Sequence, residues 1–167
     1  MISKQMNDEL NQQINRELYS AYLYQAMSAF AGFKGYKGTA NWFAVQAKEE
    51  LGHVTRFYDY INSQGGQVIF DAIDKPPSEF ESVRSMFDDS LEHERMITSC
   101  VNRLTDLAVE EKDHATQIFL EWFVTEQVEE EESVNDIISS LELAGPAGLF
   151  FVDKELASRT FKPAPAN

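Results

Sequence analysis

Four glutamates stand where apolar side chains should be. Along the 167-residue chain, Glu17, Glu50, Glu94 and Glu130 each interrupt a run of residues spaced at alternating steps of four and three, the spacing of one helix face. The first stripe is Leu10, Ile14, Glu17, Ala21, Tyr24, Ser28, Ala31. The second is Phe43, Ala47, Glu50, Val54, Phe57, Ile61, with His53 one turn beyond Glu50. The third is Val83, Phe87, Ser90, Glu94, Ile97, Val101, Leu104, Ala108, and the fourth is Leu120, Phe123, Gln127, Glu130, Val134, Ile137, Leu141. A single carboxylate of this kind is an ordinary helix-edge residue. Four converging in a bundle interior would repel one another and lose their hydration unless protonated or bound to cations. Two divalent ions neutralise four carboxylates, and carboxylate-rich ligation with one imidazole suits iron or manganese better than zinc or calcium. Iron adds redox chemistry.

These side chains need helices to hold them. Apolar residues at helical spacing from 5 to 33 predict one long helix that stops at the glycine-punctuated GFKGYKG, residues 32 to 38. A second helix is expected over 39–64, ending at Gly65-Gly66. A third runs from an N-cap at Ser82 to about 111, and a fourth from an Asp113 cap to 144. GPAG, residues 145 to 148, breaks the chain before a short fifth helix at 149–158, and 159–167 reads as a flexible, frayed tail. The expected architecture is all-α, one domain over 1–167 with a four-helix bundle at 5–144. Short first and third connections make helices one and two, and three and four, antiparallel neighbours. The middle segment, long and carrying Pro76-Pro77, can span a bundle's length, so it returns the chain to make helix three parallel to helix two.

That topology levels the carboxylates. Glu50 and Glu94 lie at similar depths from the starts of their helices, and Glu94 and Glu130 at similar depths from the connection between theirs. Glu17 is offset from Glu50 by one to two turns unless the glycine-rich join shifts helix one along the axis. The segment TEQVEEEES, residues 125 to 133, then divides by helical angle. With Glu130 pointing inward, Glu126 and Glu129 can form one edge of a further cation site, with Glu49 approaching from helix two. Glu131 and Glu132 fall on a solvated face.

Composition narrows the function. Lys and Arg number 14 against 28 Asp and Glu, a formal charge of −14 with no basic cluster, which argues against a grip on nucleic acid. The single Cys100 excludes an internal disulfide and a four-cysteine metal centre, and reads as a small buried hydrophobe. The N-terminus lacks the apolar core of a signal peptide and no run approaches a membrane span, so a soluble cytoplasmic protein is expected. His93 and His114 lie outside the stripes and read as exposed or helix-end residues. Trp42 and Trp122 read as packing anchors, with a place for Trp122 near the centre, where it would influence electron transfer, as the alternative.

Glu17, EELGH at 49–53, EHE around Glu94 and EQVEE at 126–130, together with NRELYSAYLYQAMS and LEWFVTEQ, resemble the bacterial non-haem ferritins over nearly the whole chain. The resemblance implies a ferritin-like four-helix bundle with a long crossover and a short fifth helix. It also implies an iron-storage ferroxidase, which oxidises ferrous iron with dioxygen or peroxide and deposits ferric oxide inside a closed homo-oligomeric shell of twenty-four subunits. Carried over by position, Glu17, Glu50 and His53 would hold a first iron, and Glu50, Glu94 and Glu130 a second, with Glu50 bridging and Gln127 beside it. Tyr24 would stand next to this di-iron centre, and Glu49, Glu126 and Glu129 would serve a third iron position. QVEE at 127–130 and Gly52 before His53 depart from the second Glu-x-x-His and the haem methionine of bacterioferritins, so no haem is expected. Phe150-Phe151 would be buried among subunits at a symmetry axis. A competing class is a non-catalytic acidic assembly protein whose glutamates only buffer cations.

Overall fold

A computed structural model describes residues 1–163, and every regular element among them is an α-helix. They are α1 (Lys4–Lys34), α2 (Lys37–Ser63), α3 (Val83–Glu110) and α4 (His114–Leu156). The expected starts and stops have local causes. Ser82 accepts from the Ser85 N–H and completes a capping box at α3, and Asp113 accepts from the Thr116 N–H at α4. Gly35 ends α1 at φ 90°, the left-handed conformation that closes a helix. The turn is tighter than the glycines suggested: only Gly35 and Tyr36 separate α1 from α2, and Gly32 and Gly38 are helical.

Side-chain pairs fix the directions. Ser3 at the start of α1 donates to Glu111 just beyond α3, whereas Phe30 near the end of α1 packs edge-on against Phe80 just before α3. Thus α1 and α3 are antiparallel. Gln46 reaches Glu130 and Tyr60 reaches Thr116, so α2 and α4 are antiparallel too. With α2 antiparallel to α1, helices α2 and α3 run parallel, as the crossover requires. The crossover follows α1: Asn11 donates to the Gln67 carbonyl at 2.9 Å and accepts from the Ile69 N–H at 2.7 Å, and Asn15 donates to the Ala72 carbonyl at 3.1 Å. Three of its backbone groups are thereby satisfied without a sheet.

The last segment departs from expectation. The chain stays helical through GPAG except at Gly145, whose φ of 59° and ψ of −176° break α4. Pro146 then occupies the first position after the break, where a missing N–H costs nothing. The final helical segment therefore begins three residues before the expected 149 and ends at Leu156. It is pinned at a distance. Asp153 accepts from the Gly38 N–H at 3.1 Å, and from the Thr39 N–H and hydroxyl at 2.8 Å each, capping an α2 terminus whose own N-cap residue, Tyr36, offers no side-chain bond. A Cβ at Gly38 would come 1.5 Å from the Asp153 carbonyl oxygen, so this packing requires glycine.

The start of the expected frayed tail is also ordered by contacts. Arg159 pairs with Glu49 at 2.5 Å and lies over the Trp42 ring at 4.3 Å, while Asn41 donates to the Arg159 carbonyl at 3.0 Å. Residues 164–167 lie outside the described residues. In α4 the buried aliphatic after Val134 is Ile138, one position beyond the stripe's Ile137, and Ser28 in α1 is half-buried and donates to the Ala40 carbonyl.

Apolar packing divides into two clusters along the bundle. One gathers Tyr24, Met27, Phe43, Phe87 and Val134, and the other Ile14, Phe57, Ile97, Leu104, Leu120 and Phe123. The four stripe glutamates lie between them in sequence and in space, a polar layer with a dry plug above and below.

Candidate metal centre

Helix register brings this layer together. Glu94 is 16 residues before Glu110 and Glu130 is 16 after His114, so the two are level across the α3–α4 connection. Glu17 is 17 residues before Lys34, and His53 is 16 after Lys37. Glu17 is therefore level with His53, and the expected offset from Glu50 is a single turn that the histidine fills. His53 Nδ1 lies 3.2 Å from Glu50 Oε2 and 3.7 Å from Glu17 Oε2.

All of these groups are almost completely removed from solvent. Glu17, Glu50, His53, Glu94, Gln127 and Glu130 expose between 1 and 5% of their surface, from Glu17 at 1% to Glu130 at 5%. Gln46 Nε2 bonds Glu50 Oε1 at 3.1 Å and Glu130 Oε2 at 2.8 Å, tying α2 to α4. Gln13 donates to Glu17 Oε1 at 2.7 Å. Gln127 donates to Glu94 Oε2 at 3.1 Å, and the Tyr24 hydroxyl donates to Glu94 Oε1. Glu17 Oε2 accepts no hydrogen bond, a buried acceptor aimed at the same interior.

Electrostatics splits the cluster into one ion pair and three strained acids. Burial alone would raise Glu17, but the nearby charge of His53, with help from the Gln13 hydrogen bond, holds its carboxyl below the usual range. His53 is driven well above its ordinary value: burial opposes its charge, and Glu50 and Glu17 overcome that. Burial pushes Glu50 to about 8, His53 partly offsetting it while Glu17 and Glu130 add repulsion. Glu94 reaches about 8 through burial and the Glu50 charge, and Glu130 about 8 through burial and the Glu94 charge. Three carboxyls that resist ionising near neutral pH, around an acceptor without a donor, form an arrangement that a cation would relieve. The donor set, carboxylates with one imidazole, fits iron or manganese.

Among the described residues, two groups have ligand atoms close enough to share an ion: Glu17, Glu50 and His53, all buried, and His53, Glu126 and Glu130 on the outer side. The expected outer set is only partly assembled. Glu126 joins His53 and Glu130, whereas Glu49 is drawn to Arg159 and Glu129 is exposed at the rim. Both line the same cavity of about 490 Å³, with Glu126, Glu130 and Arg159. Tyr24 is fully buried, and its phenol is held well above its usual range by burial and by Glu94 and Glu50.

Two readings outside the core change, and for Trp122 the structure selects between two. His93 is no exposed residue: its Nε2 lies 2.7 Å from the Ser20 hydroxyl, its ring packs near Tyr19 and Tyr24, and burial lowers its pKa to about 4. Glu131 is half-buried and accepts from the Thr98 hydroxyl at 2.7 Å instead of facing water. Trp122 is a neighbour of the centre, edge-on to His53 with ring centroids 5.5 Å apart. Gln13 and Gln46 were missed. A signal existed, since each stands four residues before a stripe glutamate, where a side-chain amide reaches the next turn's carboxylate.

The ferritin-like domain of the ferritin family matches residues 7–144. This chain belongs to the ferritin family. It is 44% identical over 163 residues to the bacterial non-heme ferritin of Staphylococcus saprophyticus, spanning 96% of this chain and 98% of that one. It is 41% identical over 159 residues to that of Bacteroides fragilis, spanning 95% and 100%. Among solved structures, a humanized archaeal ferritin superposes at a TM-score of 0.96 with 45% identity, covering 98% of this chain and 100% of that chain. The open-pore ferritin of the archaeon Archaeoglobus fulgidus superposes at 0.94 with 44% identity, covering 96% and 100%. The all-α ferritin bundle with its long crossover is thus the fold of this ferritin.

Proposed function

We propose that this ferritin stores and detoxifies iron in the cytoplasm as a ferroxidase, oxidising ferrous iron at the buried carboxylate layer and depositing the ferric product inside a hollow homo-oligomeric shell of twenty-four subunits. The observation that carries the proposal is the buried Glu17–Glu50–His53 group, level with Glu94 and Glu130 between two dry apolar plugs. Kinship with the bacterial non-heme ferritins supports it. In this reading Glu17, Glu50 and His53 hold one ferrous ion and Glu50, Glu94 and Glu130 the other, with Gln127 fixing Glu94. Two electrons leave the pair for dioxygen or peroxide.

The protein's own part is electrostatic. Glu50, Glu94 and Glu130 give up protons when the ions arrive, and His53 gives up its proton to become a ligand. Oxidation raises the ionic charge of the pair from +4 to +6 against four carboxylates. That excess favours hydroxide capture and movement of the product inward, away from a site built for the lower charge. Tyr24 and Gln127 keep Glu94 aimed while the charge changes. Glu49, Glu126 and Glu129 form an outer cation position that tunes delivery to, or clearance from, the pair.

Replacing His53 by Ala removes the imidazole of the proposed centre while leaving the helix stripe intact. Stopped-flow oxidation of ferrous iron by the assembled variant is expected to start at least about ten-fold slower than in the unmodified protein. An unchanged initial rate would exclude His53 from the centre.

A further inference from the structure

Beyond the outer cation position itself, on which this inference rests, we infer that Arg159 is a tethered counter-cation of that position: its guanidinium holds Glu49 until a divalent ion takes the carboxylate. Arg159 belongs to the strap that follows α4, and it reaches back over α2. One guanidinium nitrogen lies 2.5 Å from Glu49 Oε2, and the other donates to the Trp42 carbonyl at 3.4 Å. The guanidinium plane lies 4.3 Å over the Trp42 indole, itself buried against Phe43 and Phe87. Carbonyls of Leu156, Ala157 and Arg159 all accept from Asn41, which anchors the base of the strap to α2.

The consequence shows in the carboxylates. Ligand atoms of His53, Glu126 and Glu130 converge closely enough for one ion, but Glu49, one turn from His53 on the same helix, is absent from that group. It faces the same cavity and is engaged by Arg159 instead. A cation entering beside Glu126 meets a positive charge already in place, and it gains the Glu49 carboxylate as a ligand only when Arg159 releases it. The Trp42 face and carbonyl give the guanidinium somewhere to remain after release. Arg159 is therefore a positioning residue that sets the affinity of the outer site, and the strap's order reports on that site's occupancy.

Calorimetric titration of metal-free assembled protein with Zn²⁺ tests this without turnover. Three binding steps per subunit are expected, the weakest belonging to the outer site. R159Q should tighten that third step roughly five-fold, the factor corresponding to an ion pair of about 1 kcal/mol, and leave the two tighter steps unchanged. R159K keeps the charge and should keep the third step near its original affinity. In an E49Q background, R159Q should no longer change the third step. In the unmodified protein, Zn²⁺ at saturating concentration should speed amide exchange in residues 158–163. A third step that R159Q leaves unchanged or weakens overturns the counter-cation role while leaving the outer site standing. Absence of any third step overturns both. If R159Q fails to assemble, amide exchange in the unmodified protein decides alone, and a strap unaffected by Zn²⁺ overturns the inference.

Discussion

In the proposed reading, protons and cations compete for the same side chains at the centre. Glu50, Glu94 and Glu130 bind their protons up to about pH 8, against 4.5 for an ordinary glutamate. A folded-state pKa raised in this way favours the metal-free fold fully below about 4.5 and loses that contribution as pH rises toward 8. His53, raised well above 6.5, acts in the same direction, its contribution present below 6.5 and lost as pH climbs through its folded value. Divalent-ion binding at pH 7 should therefore release roughly three to four protons per subunit, and distinctly fewer at pH 9. Calorimetry in two buffers of different ionisation enthalpy measures the number; a release near zero at pH 7 would mean that the carboxyls are already ionised. At this scale the sequence made the glutamates and His53 legible, because each breaks an apolar stripe. It left Gln13 and Gln46 unread, because an amide on a helix flank is common and only its carboxylate partner gives it meaning. The partial dispersal of the outer set was equally hidden, since the Arg159 pairing with Glu49 spans 110 positions.

Caps and breaks explain why the helices stand at the right heights. Ser82 and Asp113 were readable because a cap acts within three residues of itself. Gly145 was readable as a break, but the continuation of helix through Pro146 depends on which residue of GPAG adopts the irregular conformation, and that is decided by packing. The Asp153 cap on α2 was out of reach for the same reason as the Arg159 pairing: donor and acceptor are 114 residues apart. Its removal is informative. Asp153→Ala leaves the Gly38 and Thr39 N–H groups without their acceptor and should cost about 1–2 kcal/mol. Thermal unfolding should show the loss, and amide exchange should rise first in residues 146–156; unchanged exchange there would mean that apolar contacts of Val152 and Leu156 hold the segment unaided.

At the scale of the whole molecule, a single chain leaves apolar surface uncovered. Phe150 and Phe151 remain 65% and 71% exposed after folding, and Ile69 and Phe70 of the crossover are also open. Such side chains on the final segment and on the crossover suit burial between copies, and a closed shell would cover both at once. Its formal charge of −14 per chain would make the container attractive to cations. Oxidation and storage are then two halves of one claim, and they can be read together. Ferrous iron is added aerobically in repeated portions to the purified protein, well beyond three ions per subunit, and the product is separated by size. The account predicts ferric iron formed faster than in protein-free buffer and travelling with a particle far larger than the 19.0 kDa chain. Oxidation no faster than in buffer, with ferric precipitate left behind by a protein that migrates as a monomer, would contradict it.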